Sequence, residues 1–360
     1  MRRLPLFFVA AIVLSPAMAW PQGYPIGPEF RINTYTTGGQ GAPDIAADPS
    51  GKFVVVWQGQ GLQEADGIFG QRFDSSGVPL GPEFHVNTFT TSLQAEQRVA
   101  AGPSGQFVVV WQSYPQDGSG NGVFGQRYDV SGNPIGTEFR VNSYTTNFQI
   151  WPAIAAHAAG DFVVVWESYL QDGSGRGVFG QRFASTGAPM GPEFRVNSFT
   201  ANHQTSADVA ADGFGNFVVV WGSIGQDGSM EGVFGQRYDA SGAPVGPEFR
   251  ANTFTTGSQR LPSVGMDPAG NFVVVWTSNL QDGSSYGVFG QRYDATGTPL
   301  GAEFRVNTYV AFNQERPAVT ADDAGEFVVV WSTWAQANWA VSGQRYNQIV
   351  PVELMDFAIE

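Results

Sequence analysis

Chemistry in this 360-residue chain has to come from carboxylates, amides and aromatics, because cysteine is absent and there are only three histidines, His85, His157 and His203. Each histidine is a single replacement at a repeated position, and no nucleophile, base and orienting group recur at a spacing that builds a hydrolytic set. No catalytic residue is assigned, and the sequence points away from an enzyme, with paired carboxylates on converging loops the one arrangement left open. Binding has better material. Tyr114, Phe148, Trp151, Tyr169, His203, Tyr286, Phe312, Trp334 and Trp339 fall in variable segments rich in amides and acids. Aromatic faces beside such groups suit stacking on a sugar and recognition of its hydroxyls, so these nine are the candidate ligand-binding residues. Gln-Asp-Gly-Ser recurs with Asp117, Asp172, Asp227 and Asp282, which are weak candidates for Ca2+. One carboxylate per loop falls short of the roughly six to eight oxygens calcium takes, so no metal or other cofactor is expected.

The elements that must position these residues are unusually legible. Phe-Val-Val-Val-Trp occurs six times without substitution, at Phe53–Trp57, Phe107–Trp111, Phe162–Trp166, Phe217–Trp221, Phe272–Trp276 and Phe327–Trp331. The starts lie 54 or 55 residues apart. A period of that size means a propeller, solenoid or array. Each unit reads as short β-branched or aromatic runs separated by Gly, Asp, Asn, Ser and Pro, with no helical period. In one copy the strands are expected near Ala153–Ala156, Phe162–Glu167, Gly177–Phe183 and Glu193–Asn197. Alternation puts Phe53, Val55 and Trp57 on one face and Val54 and Val56 on the other. A strand apolar on both faces must lie inside a stack of sheets. The expected fold is all-β, a six-bladed propeller of four-stranded antiparallel blades.

The turns repeat as well. Asp-x-x-Gly precedes the pentapeptide and Asp-x-Ser/Thr-Gly-x-Pro-x-Gly follows the third strand, both tight-turn chemistry. Gly-Gln-Arg recurs in the third strand, from Gln71-Arg72 to Gln344-Arg345, and Glu-Phe-Arg in the fourth, with His85 once replacing the arginine. A ring of arginines could hold an anion, but the acids in the motif match them, so each Arg is expected to pair with a repeated Glu or Asp. Two loop sets vary and share one face, those between strands four and one and between strands two and three. The first keeps Gln40, Gln94, Gln149, Gln204, Gln259 and Gln314 while its neighbours change to Phe148, Trp151, His203, Arg260, Phe312 or Arg316.

At the N-terminus Met1-Arg2-Arg3, an apolar run from Leu4 to Leu14 and Ala17-Met18-Ala19 read as a signal peptide, residues 1–19, cleaved after Ala19. The propeller would occupy 20–346, in repeats 27–80, 81–135, 136–190, 191–245, 246–300 and 301–346, with 347–360 as a tail. Net charge is −14, or −16 once the two signal arginines are gone, and Lys52 is the sole lysine. Nucleic acid and anionic lipid both require a basic footprint, so no nucleic-acid partner and no membrane insertion of the mature chain are expected. A chain this long buries a full core without disulfides. A monomer, secreted or at the cell surface, is expected.

Gly27-Pro28-Glu29-Phe30-Arg31-Ile32-Asn33 reads as a fourth strand with no blade before it, and the last copy supplies only three strands. N-terminal closure of the sixth blade follows, with Glu29–Asn33 paired to Val341–Tyr346. Asp356–Glu360 is the competing fourth strand, lacking the usual preceding turn. Taken together, Pro-x-Val-Ala-x-Asp-x-x-Gly-x-Phe-Val-Val-Val-Trp and Val-Phe-Gly-Gln-Arg-Tyr-Asp resemble the propeller-like repeats of large secreted bacterial proteins, and more distantly the sialidase-like propellers. The resemblance covers Gly27 to Tyr346 and implies the fold without an activity. No copy has the sialidase Asp box, Ser-x-Asp-x-Gly-x-x-Trp. The function expected is extracellular binding or adhesion, to carbohydrate or protein, through the variable face. A polysaccharide-cleaving hydrolase or lyase and a purely structural surface module are the alternatives.

Overall fold

The computed structural model describes residues 29–60, 67–335 and 338–347. The signal peptide, the tail beyond residue 347 and the competing strand Asp356–Glu360 lie outside the described residues. Six antiparallel sheets follow one another, each in sequential strand order. Blade 1 holds Gln40–Ala47, Phe53–Gly59, Gly67–Phe73 and Phe84–His85. Blade 2 holds Gln94–Ala101, Phe107–Ser113, Gly122–Tyr128 and Pro134–Arg140, and blade 3 Gln149–Ala156, Phe162–Tyr169, Arg176–Phe183 and Phe194–Arg195. Blade 4 is Gln204–Ala211, Phe217–Ile224, Glu231–Tyr238 and Phe249–Arg250, and blade 5 Gln259–Met266, Phe272–Asn279, Tyr286–Tyr293 and Pro299–Arg305. Blade 6 has Gln314–Ala321, Phe327–Ala335 and Asn338–Tyr346. The protein is a six-bladed β-propeller, with no helix among the described residues.

Phe-Val-Val-Val-Trp does what its double apolar face requires. Val54 and Val56 of blade 1 pack against Phe107, Val109 and Trp111 of blade 2. The same interlock joins blades 2 and 3, 3 and 4, 4 and 5, and 5 and 6. Glycine in Gly-Gln-Arg is there because the fourth-strand phenylalanine lies over it: a Cβ on Gly180 would sit 2.8 Å from Phe194 Cζ. The fourth strand is anchored next to that contact by its asparagine, whose Oδ1 accepts from the third strand, as Val178 N donates to Asn197 at 2.7 Å. It is shorter than expected, two residues in blades 1, 3 and 4, because pairing stops where the chain turns towards the next blade.

The sixth sheet has three strands among the described residues, and Glu29–Asn33 has no strand conformation. Asn33 and Thr34 nonetheless make the bonds that end the fourth strands of blades 1 to 4. Asn33 Nδ2 donates to Tyr35 O at 2.6 Å, and Thr34 N and Oγ1 donate to Glu83 Oε2 at 2.7 and 2.8 Å. Asn87 and Thr88 repeat this with Phe89 and Glu138. Val341 is 81% exposed and Val330 41%, although their counterparts Val288 and Val275 are fully buried between blades.

One expectation about the repeated arginines is corrected. Arg72, Arg182 and Arg237 donate to main-chain carbonyls of a turn in the following blade, such as Val130 O at 2.7 Å and Ala240 O at 2.6 Å, and Arg127 does so to Ser185 O at 2.6 Å. The fork finds two carbonyls at adjacent positions of that turn, so no carboxylate is needed. Among the described residues Arg345 is the member of the set with an ion pair, to Glu326 at 3.7 Å, while Asp129 and Asp294 act on Arg72 and Arg237 through space. The motif glutamates instead bind the hydroxyl and N–H that end the preceding blade, and accept from the loop glutamines Gln116, Gln171, Gln226 and Gln281.

The Asp-x-x-Gly turns are Asx turns. Asp212 Oδ1 accepts from Phe214 N at 2.8 Å and Asn216 N at 2.9 Å, and its Oδ2 from Asn216 Nδ2 at 2.7 Å. Asp212→Ala leaves two N–H groups of a part-buried turn without their acceptor, and a loss of about 1–2 kcal/mol is expected in urea unfolding. No change in the midpoint would contradict this account of the turn.

Candidate functional site

In blades otherwise nearly identical, four positions hold a different residue in almost every copy, and the fold brings them to one rim. Two are the first and second residues after the buried glutamine of strand one. The third follows the tryptophan of strand two, and the fourth opens strand three. In blade 3 these are Ile150, Trp151, Glu167 and Arg176; in blade 4, Thr205, Ser206, Gly222 and Glu231; in blade 5, Arg260, Leu261, Thr277 and Tyr286; in blade 6, Glu315, Arg316, Ser332 and Trp339. Blade 2 carries Ala95, Glu96, Gln112 and Asn121 there.

A β-bulge creates the second position. Every first strand shifts register there, and the bulged residue adopts a left-handed backbone whether it is Ala42, Glu96, Trp151, Ser206, Leu261 or Arg316, with φ between 47° and 58°. A non-glycine residue in this region costs about 1–2 kcal/mol, and bulges re-aim side chains. The freed N–H reaches across to the preceding blade's third position. Trp151 N donates to Gln112 Oε1 at 3.1 Å, Ser206 N to Glu167 Oε1 at 2.6 Å, and Arg316 N to Thr277 Oγ1 at 3.0 Å.

Two arginine–aromatic pairs flank a pair of carboxyls. The Arg176 guanidinium lies 4.8 Å above the Trp151 ring and 3.3 Å from Glu167 Oε2. Arg260 lies 4.5 Å above Tyr286 and 3.4 Å from Glu315 Oε2, while its buried Nε has no acceptor among the described residues. Between them stands Glu231, accepting from Thr205 Oγ1 at 3.3 Å and Ser258 Oγ at 3.2 Å. Its carboxyl occupies the space that a side chain on Gly222 would need, so these two copy-specific residues are complementary.

Burial dominates the electrostatics. Glu167 is fully buried, and loss of water pushes its pKa up to about 7, against the pull of Ser206 N–H and Arg176 and with a push from Glu231. Burial also raises Glu231, which the two hydroxyls and Arg260 counter. Neighbouring carboxyls with raised pKa values are a common mark of functional sites. Asp44 and Asp208, midway along first strands, are raised by burial too. They staple blades together by accepting from Val99 N at 2.8 Å and Val264 N at 3.0 Å.

Of the residues named from the sequence, Trp151, Tyr286 and Trp339 stand at the rim positions. His203 is bridged to Arg176, and Trp334 meets Trp339 edge-on at 5.2 Å. Tyr114, Phe148 and Phe312 are exposed on the loops outside these positions, and Tyr169 N binds Phe148 O at 2.9 Å there. Asp117, Asp172, Asp227 and Asp282 each turn Oδ1 to the N–H two residues on. Glu167, Arg176, Glu231 and Glu315 went unnamed. Setting the six copies against one another residue by residue would have exposed them, since Glu167 is the only acid after the repeated tryptophan.

Fold and rim together define a β-propeller with one asymmetric, polar and aromatic face. No family model matches the chain, and no curated protein matches it. Solved structures share the fold. A Dyadobacter fermentans protein of unknown function superposes with a TM-score of 0.59 at 9% identity, covering 87% of this chain and 96% of that one. The Penicillium chrysogenum α-L-arabinanase complexed with arabinobiose gives 0.58 at 14% identity, over 85% and 92%. The NanB sialidase from Streptococcus pneumoniae gives 0.56 at 6% identity, over 89% and 70%.

Proposed function

We propose that this protein is a secreted propeller that binds an extracellular carbohydrate at the rim formed by the variable positions of blades 3 to 6. The observation that carries this reading is the clustering, beside the bulge, of four positions that differ in almost every copy. Packing alone would let six equal blades keep six equal rims. Variation here supplies aromatic faces, hydroxyls, guanidinium groups and carboxyls within one surface, the donor and acceptor mix that sugar hydroxyls require. That an arabinanase and a sialidase use the same fold is consistent with a sugar ligand.

A glycan array followed by calorimetry tests it. Binding is expected, and Trp151→Ala combined with Tyr286→Ala should weaken it at least about tenfold, the effect of losing aromatic contacts worth about 1.4 kcal/mol. Affinity unchanged in the double variant, or no glycan bound, would sink the reading.

One observation favours a second reading, a sugar-cleaving enzyme. Glu231 pushes on Glu167, both carboxyls are raised by burial, and Glu231 is partly open. Release of reducing ends from a panel of polysaccharides, abolished in Glu231→Gln, would establish it.

A further inference from the structure

Blade 6 presents the four variable positions as an open cleft of about 270 Å³ lined by Glu315, Arg316, Ser332 and Trp339. We infer that this cleft takes a sugar unit bearing a carboxylate, with Arg316 binding the carboxylate and Trp339 stacking on the ring; this rests on the carbohydrate reading above.

The assignment follows from how charges are distributed around the cleft. Glu315, adjacent in sequence to Arg316, turns to Arg260 of blade 5 at 3.4 Å. Arg316 is exposed and, among the described residues, has no carboxylate partner. Its backbone is fixed by the bulge, with φ 58° and N–H held on Thr277, so the side chain leaves from a rigid base. The other two rim arginines, Arg176 and Arg260, each have both a carboxyl and an aromatic ring. Arg316 has neither, which leaves its fork open for a bidentate carboxylate. Trp339 is 51% exposed and braced edge-on by Trp334, so one indole face is oriented without being covered. Ser332 adds a hydroxyl for the sugar. The volume suits one sugar unit, at the small end of ligand pockets. The chain's net charge of −14 slows the approach of a polyanion at low salt, but this field is screened beyond about 8 Å at physiological ionic strength, where Arg316 acts directly.

Calorimetry on the full mature chain with oligosaccharides of galacturonate and of glucuronate, each beside its methyl ester, tests the inference. The free acids should bind at least about tenfold tighter than the esters, Arg316→Gln should erase that preference, and Trp339→Ala should weaken acid and ester alike. Equal binding of acid and ester, a preference that survives Arg316→Gln, or equally tight binding of a poly-aspartate peptide would overturn it. Neutral oligosaccharides bound independently of Arg316 would overturn this inference and leave the carbohydrate reading standing; no sugar bound at all would remove both.

Discussion

Replacing Trp221 by alanine is expected to lower the unfolding free energy by about 3–5 kcal/mol, the usual cost of truncating a fully buried aromatic residue. Trp221 is wholly inaccessible and lies where the strands of blade 4 interlock with Val163, Val165 and Val178 of blade 3. Rigid sheets on both sides leave little to collapse into the void, which places the effect in the upper half of that range. Its indole N–H has no acceptor among the described residues, so no hydrogen bond is lost with the ring. Trp221→Phe, which removes that orphaned donor and keeps most of the apolar volume, should cost well under half as much. Denaturant unfolding of both variants checks this, and equal losses would mean that the N–H, not the packing, holds the residue in place.

Glu167→Gln is expected to stabilise the protein at pH 8 and to change little at pH 5. The folded pKa of Glu167 is about 7 against an ordinary value of 4.5, so between these two values the folded state holds more proton than the unfolded chain. Stability therefore falls as pH rises through that window and levels off above it. At about 1.4 kcal/mol per unit of pKa, the ionised carboxyl costs about 3 kcal/mol at pH 8, relative to its neutral form. A neutral glutamine keeps the bond from Ser206 N–H and escapes that cost. Thermal midpoints of the two proteins should converge at pH 5 and separate by several degrees at pH 8. Asp44 and Asp208, also raised by burial, tilt both curves in the same sense and drop out of the difference, whereas Glu231, which pushes on Glu167, is relieved in the variant and widens it. Parallel curves at all pH values would show that Glu167 does not titrate in this window. A fold that carries such a cost at one copy, where five others hold Gln58, Gln112, Gly222, Thr277 and Ser332, carries it for a reason other than stability.

Much of the architecture could be read directly from the chain. Phe-Val-Val-Val-Trp has two apolar faces, a strand can bury both only between sheets, and a 55-residue period fixes how often that happens; blade count and antiparallel order follow. The arginines of Gly-Gln-Arg were read correctly as structural but given the wrong partner, because a sequence shows acids and not the carbonyl oxygens that every residue carries. Trp151, Tyr286 and Trp339 were legible as aromatics in variable segments. Glu167 and Glu231 were not, since a carboxylate in an acidic chain carries no signal of its own until the copies are compared position by position.

What the sequence determined by itself was everything set by short-range periodicity: strand alternation, turn chemistry, the interlocking apolar faces and the six-fold repeat. Only the tertiary structure decided which differences between copies act together. Arg176, Glu231 and Arg260 are 55 and 29 residues apart in the chain, and come to one rim because successive blades pack side by side, each with its first strand bulging at the same point. The bulge leaves no fixed residue type behind it. Its left-handed backbone is imposed by pairing with the second strand and accepted alike by alanine, tryptophan and arginine, so no local pattern marks the position that assembles the site.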